Sequence, residues 1–148
     1  MAIKQASVTE AHALQQKGHT YVDVRSTPEF EQGHPAGAVH VPLLDVDEDF
    51  GQMAPNPDFV RVMSANFAPD APLLIGCQMG GRSQRAAQIL ESFGFSNVTN
   101  VRGGFGGARD PMTGRADPGW VDAGLPVETK TPEGASYREL SAKADAKK

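Results

Sequence analysis

The run Leu73-Leu74-Ile75-Gly76-Cys77-Gln78-Met79-Gly80-Gly81-Arg82-Ser83 constrains the fold more than any other stretch of this chain. Leu73, Leu74 and Ile75 suit a strand buried on both faces, and strands of that kind belong to parallel sheets covered by helices. Ser83 is read as the N-cap of a helix that carries Ala86, Ala87, Ile89 and Leu90. Strand, tight loop and helix in direct succession open a crossover unit of an α/β sheet. Gly80 and Gly81 lack a Cβ, so the backbone between strand and helix can curl and turn its N–H groups inward. Such N–H groups, together with a helix start, attract an anion. Cys77 is the only cysteine in the chain and stands at the head of this loop. There the local field favours the thiolate over the thiol.

The remaining chain alternates in the same way. Ser7-Val8-Thr9-Glu10 fits a capping box for a helix bearing Ala11, Ala13 and Leu14, which Gly18 stops. Thr20 to Arg25 reads as a strand ending in charge. Thr27 is expected to cap a second helix with Pro28 at its first position and Gly33 at its end. Ala38 to Val41 and Asn97 to Val101 read as further strands. Asn56-Pro57-Asp58 caps a helix bearing Phe59, Val60, Met63 and Phe67, and Gly94 closes the helix after the loop. Leu43 to Pro55 is acidic and is read as a solvated loop. Asp45, Asp47, Glu48 and Asp49 lack the glycine and the terminal glutamate of a calcium loop, so no metal is assigned to them. The four histidines and one cysteine lack zinc-ligand spacing.

Composition narrows the class. A chain of 148 residues fits one domain, burying about two-thirds of its unfolded surface. One cysteine allows no internal disulfide, as suits a reducing compartment. The formal net charge of −4 argues against bulk nucleic-acid binding. No apolar run approaches the roughly 20 residues of a membrane span. Met1 to Gln5 leads directly into polar sequence without a hydrophobic signal region, so a cytoplasmic location is expected, with neither nucleic acid nor membrane as partner.

The loop resembles the active-site loop of the rhodanese family of single-domain sulfurtransferases, which runs cysteine, four residues and arginine, with a glycine inside. Cys77-Gln78-Met79-Gly80-Gly81-Arg82 matches at each point. Asp23-Val24-Arg25 resembles the family's Asp-x-Arg after its second strand. Glu29-Phe30 through Gly33-His34-Pro35-Ala36-Gly37-Ala38 resembles its Gly-His-Ile-x-Gly-Ala segment, with Pro35 at the isoleucine. Arg102-Gly103-Gly104-Phe105 resembles its Gly-Gly turn, and Trp120 followed by Gly124-Leu125-Pro126-Val127 its ending. The stretch from Gly106 to Gly119 reads as an insertion with Arg109 and Arg115 exposed, either overhanging the active site or lying as inert surface. The resemblance covers Ile3 to Val127. It implies an α/β rhodanese-like three-layer fold, a five-stranded parallel sheet ordered 1-5-4-2-3 and flanked by helices on both faces. The domain is placed at 3–128, with 129–148 as a polar, mobile C-terminal tail in which Tyr137-Arg138-Glu139-Leu140 could make one helical turn.

The resemblance also implies a chemistry. Cys77 would take sulfane sulfur from a donor such as thiosulfate, hold it as a persulfide, and pass it to cyanide or a thiol, with no cofactor. Arg82 joins Cys77 as a catalytic residue, holding loop carbonyls, meeting the donor's charge, or both. Gln78, Met79, Gly80, Gly81 and Ser83 are the substrate-binding residues. Arg25 and Glu29 are expected as a framework ion pair near the loop, against the plainer reading of two exposed charges. Relatives that use thiosulfate best often carry arginine or lysine where this chain has Gln78. His12, His19, His34 and His40 are read as surface or turn residues with nothing to place them against Cys77, His34 being the least removed from the site. Two alternatives stand beside the enzyme acting on small molecules. One is a dedicated persulfide relay or binding module for a protein partner. The other is a phosphatase or arsenate reductase of the same fold, whose loops place five residues between cysteine and arginine; here that position holds Ser83.

Overall fold

The computed structural model describes residues 3–46, 51–109, 112–114, 116–131 and 133–146. In chain order the elements are β1 (Lys4–Ala6), α1 (Val8–Gln16), β2 (Thr20–Asp23), α2 (Thr27–Gln32), β3 (His34–Pro35), β4 (Val39–His40), β5 (Leu44–Val46), β6 (Met53–Pro55), α3 (Phe59–Asn66), β7 (Leu73–Gly76), α4 (Gly81–Ser92), β8 (Val98–Val101), β9 (Ala108–Arg109), β10 (Ala116–Asp117), β11 (Val127–Glu128) and α5 (Tyr137–Ala146).

The central sheet is parallel, ordered β1-β8-β7-β2-β4. Counting only its own five strands, that order is 1-5-4-2-3, as the resemblance implies. Strand β7 lies in the middle, and its side chains alternate between two cores. Leu73 and Ile75 join Val22, Val24 and Val41 under α3, α4 and α5. Leu74 joins Tyr21, Val101 and Trp120 under α1 and α2. This two-sided burial is why the strand reads as a continuous apolar run. It also puts the β7–α4 turn at the carboxyl edge of the sheet, where open α/β sheets place ligands.

Helix starts follow local hydrogen bonding. Ser7 and Glu10 form the expected capping box, with Glu10 N donating to Ser7 Oγ at 3.1 Å and Ser7 N to Glu10 Oε1 at 2.9 Å. Helix α2 is capped by Ser26 rather than Thr27, because Glu29 stands three residues after Ser26 and accepts from its N and Oγ at 3.2 and 2.8 Å. Thr27 instead donates from N and Oγ1 to Asp45, at 2.8 and 2.6 Å. Helix α4 is capped by Gly80, not Ser83. Ser83 lies within the first turn, its hydroxyl engaged below the loop. The acidic stretch is more ordered than a solvated loop: β5 and β6 pair antiparallel, while Asp47, Glu48 and Asp49 lie outside the described residues.

The C-terminal stretch, expected as a mobile polar tail, contains α5. Tyr137, Leu140 and Ala144 form one stripe that packs on the core holding Phe59, Val62 and Met63. Asn66 Nδ2 donates to Leu140 O at 3.0 Å, and Arg61 pairs with Asp145 at 3.0 Å. Just before this helix, Ala135 O accepts from His40 N at 2.8 Å. That bond covers the otherwise open edge of β4. Three small contacts on an otherwise charged helix give a weak apolar signal, so composition alone reads as tail. Lys147 and Lys148 lie outside the described residues.

Candidate active site

Strand β7 delivers Cys77 to the sheet edge, where its side chain is 2 % exposed. Cys77 Sγ accepts from Gly80 N at 3.1 Å and Ser83 N at 3.3 Å, and lies 3.4 Å from Ser83 Oγ. Two inward N–H groups therefore meet the sulfur, one from the loop and one from the first turn of α4, as an anion site requires. Gly80 makes the turn possible. Its φ is +98°, and a Cβ there would overlap Arg102 O. Gly81 has open space around it and no positive φ. The two adjacent glycines are thus unequal: one shapes the cradle, the other only opens the helix.

The loop is held from behind by the Gly-Gly turn. Phe105 N donates to Cys77 O at 2.7 Å and Gly106 N to Gln78 O at 2.9 Å. A Cβ on Gly104 would overlap Cys77 O. The base of the insertion therefore packs on the active-site loop. Beyond it, Gly106 to Ala108 and Ala116 to Pro118 line a groove with Met79, whose side chain is 62 % exposed and faces outward rather than toward sulfur. Arg115 and the side chain of Arg109 lie outside the described residues.

The expected Arg25–Glu29 pair does not form. Arg25 pairs instead with Asp23 at 2.8 Å, donates to Gly33 O at 2.6 Å and lies over the Phe105 ring at 4.3 Å. Glu29 is gripped by Arg82 through bonds of 2.7 and 3.0 Å. The reason is geometric: α2 turns Glu29 toward α4, while the short Asp-x-Arg spacing folds Arg25 back on Asp23. Hydrogen bonding to Arg82 lowers the Glu29 carboxyl to about 2, and the same contact raises Arg82. Gln78 Oε1 accepts from Arg25 Nη1 at 3.2 Å. Arg25, Glu29, Gln78 and Phe105 line an open cleft of about 380 Å3 beside the loop.

Among the described residues no histidine contacts Cys77. His34 stacks on Phe30 at 3.8 Å, and His40 stacks on the other face at 4.4 Å. Burial lowers the His40 imidazole, which meets Arg25 O at 2.8 Å. Both rings are buried, against the expectation of surface or turn histidines, and build the framework below α2. No group of three or more His, Cys, Asp or Glu side chains among the described residues could hold a metal ion.

One residue near the sulfur carries no functional mark in the sequence. Asn100 on β8 is 4 % exposed and its Oδ1 contacts Ser83 Oγ at 2.5 Å. Its Nδ2 donates to Gln5 Oε1 at 2.9 Å. The available signal is a polar residue inside a strand buried along its whole length.

The Rhodanese-like domain family matches residues 7–109. The chain belongs to this family. It is 38 % identical over 122 residues to thiosulfate sulfurtransferase 16, chloroplastic, of Arabidopsis thaliana, covering 82 % of this chain and 90 % of that protein. It is 34 % identical over 128 residues to thiosulfate sulfurtransferase 18 of the same plant, covering 85 % and 84 %. The crystal structure of Rv0390 from M. tuberculosis superposes with a TM-score of 0.70 at 24 % identity, over 88 % of this chain and 100 % of that one, and so supports the fold alone. The rhodanese match ends at Arg109, so most of the insertion, Trp120 and α5 lie beyond it. Trp120 still belongs to the core: it is fully buried, stands edge-on to Tyr21 at 5.4 Å and donates to Pro126 O at 2.6 Å.

Proposed function

We propose that this rhodanese-like protein is a sulfurtransferase that carries sulfane sulfur as a persulfide on Cys77. The observation behind this reading is the cradle itself: a buried sulfur meeting two main-chain N–H groups at a helix start. The names of the relatives, thiosulfate sulfurtransferases, support the same reaction class. Cys77 thiolate attacks the outer sulfur of thiosulfate. A new S–S bond forms, the old one breaks, and its electron pair leaves with sulfite. The terminal sulfur of the Cys77 persulfide then bonds to cyanide or to a thiolate, and the electron pair returns to Cys77. No general base is needed, because attack is by a thiolate and sulfite is a stable leaving group.

Arg82 acts mainly through structure in this scheme. Its guanidinium is held by Glu29, so it ties α4 to α2 and fixes the helix start that presents Ser83 N. Gly80 and Ser83 touch the sulfur. Gln78 faces the cleft through which a donor approaches.

The test uses purified enzyme with thiosulfate and cyanide. Sulfite release and a mass gain of one sulfur atom on Cys77 are expected. Both should vanish in Cys77→Ser, with folding unchanged. Sulfite release by the serine variant at the parent rate overturns the scheme. The neutral Gln78 favours a second reading, in which the donor is a dedicated persulfide carrier. A low-molecular-weight persulfide that outperforms thiosulfate in turnover would select it.

A further inference from the structure

A chain of side chains runs from the sulfur to the surface: Cys77, Ser83, Asn100, Gln5, Gln84. Its polarity can be read from its far end. Gln5 Nε2 donates to Ile3 O at 3.3 Å as well as to Gln84 Oε1 at 2.6 Å. A main-chain carbonyl only accepts, so the Gln5 amide nitrogen must face that way. Gln5 Oε1 is then left to face Asn100, which must answer with Nδ2. Asn100 Oδ1 in turn faces Ser83.

Ser83 has one hydroxyl proton and three acceptors around it. These are Asn100 Oδ1 at 2.5 Å, Gly80 O at 3.1 Å and Cys77 Sγ at 3.4 Å. Asn100 is the nearest. With its proton on Asn100, Ser83 Oγ turns lone pairs toward sulfur and suits a thiol, which donates. A thiolate needs the reverse, with the Ser83 proton turned from Asn100 to Sγ. That turn leaves Asn100 Oδ1 without its partner in a buried site, which costs free energy.

We propose that Asn100, oriented by Gln5, is a positioning residue that competes with Cys77 for the Ser83 proton and so sets the balance between thiol and thiolate. The competition has a chemical consequence. A thiolate that is less readily formed is a stronger nucleophile once formed. The network thus trades thiolate fraction for intrinsic reactivity. The ionisable groups facing this centre are Tyr21 from β2 and Arg82 from α4, with the Asp23–Arg25 pair and Glu29 behind them. None of them belongs to the relay, and no substitution below changes a charge.

The inference rests on Cys77 being the reacting thiol, but its test needs no sulfur donor. The rate of alkylation by iodoacetamide is followed against pH in the whole protein. Asn100→Leu is expected to move the midpoint down by about one pH unit, the worth of one redistributed hydrogen bond. The alkaline plateau should fall about threefold, so the two profiles cross. Gln5→Leu, at an exposed position, frees the Asn100 amide to turn over and should move the midpoint the same way by less. In a Ser83→Ala background, Asn100→Leu should move nothing. A midpoint unchanged or raised in both Asn100→Leu and Gln5→Leu overturns the proposal. So does an equal shift with and without the Ser83 hydroxyl. If Asn100→Leu fails to fold, Gln5→Leu alone decides by the same criterion. Loss of sulfite release with the crossing profiles intact would count against the sulfurtransferase reading and leave this one standing.

Discussion

Arg82 and Glu29 meet across 53 positions of sequence through two hydrogen bonds, 2.7 and 3.0 Å long. The pair joins the first turn of α4 to the first turn of α2. Glu29 also completes the capping box of α2 through Ser26. One carboxylate thus serves two helix starts, one of which cradles Cys77.

This arrangement predicts an acid-dependent loss of stability. The Glu29 carboxyl lies at about 2 instead of its ordinary 4.5, chiefly through its bond to Arg82. A depressed carboxyl stabilises the fold fully above its unfolded value. That contribution is lost as pH falls from 4.5 toward 2. Glu29 is about a third exposed, so screening leaves roughly 1 kcal/mol rather than the full value of the shift. Glu29→Gln should cost about that much at pH 7 and flatten the acid slope. Urea melts at neutral pH and at pH values inside that window measure both. An acid slope as steep in the variant as in the parent would show that Glu29 is not its source.

The adjacent glycines predict opposite outcomes. Gly80→Ala forces a Cβ onto Arg102 O at a φ of +98°, where an L side chain costs about 1–2 kcal/mol even without a clash. Sulfur transfer should be nearly lost, because the N–H that meets Sγ belongs to this residue. Gly81→Ala enters open space at the helix start and should leave activity intact, with stability unchanged or raised by up to about 1 kcal/mol. Sulfite release and thermal melting on both variants distinguish them. Equal damage at the two positions would contradict the geometry.

The strand, loop and helix around Cys77 were legible because they rest on local signals: an apolar run, glycines and a following helix. The order of the strands was not, and came only from the family resemblance. The partners of charged residues were not. Arg25 and Glu29 are near in sequence, yet each binds elsewhere, because helix α2 rotates one away from the other. Asn100 was hidden for a related reason. Its role depends on β8 pairing with β1 and β7, contacts made only when distant strands assemble. Of helix α5 only one turn, Tyr137 to Leu140, was legible, because its buried stripe is three residues on a charged background.

Helix α5 makes a prediction of its own. Leu140 is 7 % exposed in the core beside Val62 and Met63. Leu140→Ala should lower stability by about 2 kcal/mol, the low end for buried leucine because the site lies at the rim. The alkylation profile of Cys77 should not change, since α5 packs chiefly on α3 and β4 and not on the loop elements β7 and α4. Denaturant melts decide the matter. A cost within about 0.5 kcal/mol, as for a free surface residue, would return this segment to the status of a tail.

The last prediction concerns the charge that a donor meets. Among the described residues, Arg25 and Arg82 stand near Cys77, and each has its own carboxylate: Arg25 with Asp23, Arg82 with Glu29. Their positive charge is largely spent before thiosulfate arrives. Gln78, the residue after the nucleophile, adds none, and its amide oxygen is engaged by Arg25 Nη1. Thiosulfate should therefore bind weakly, with a high KM. Gln78→Arg places an unpaired cation at the cleft. It removes one acceptor from Arg25, but Arg25 keeps Asp23 and Gly33 O, so the framework holds. The gain is that of one exposed charge, about 0.5–1 kcal/mol, or a two- to fivefold fall in KM. Salt should erase much of it, because screening acts over about 8 Å at physiological ionic strength. Saturation kinetics at low and high salt measure both effects. An unchanged or raised KM at low salt would show that charge at this position does not limit donor binding, and that the paired arginines already suffice.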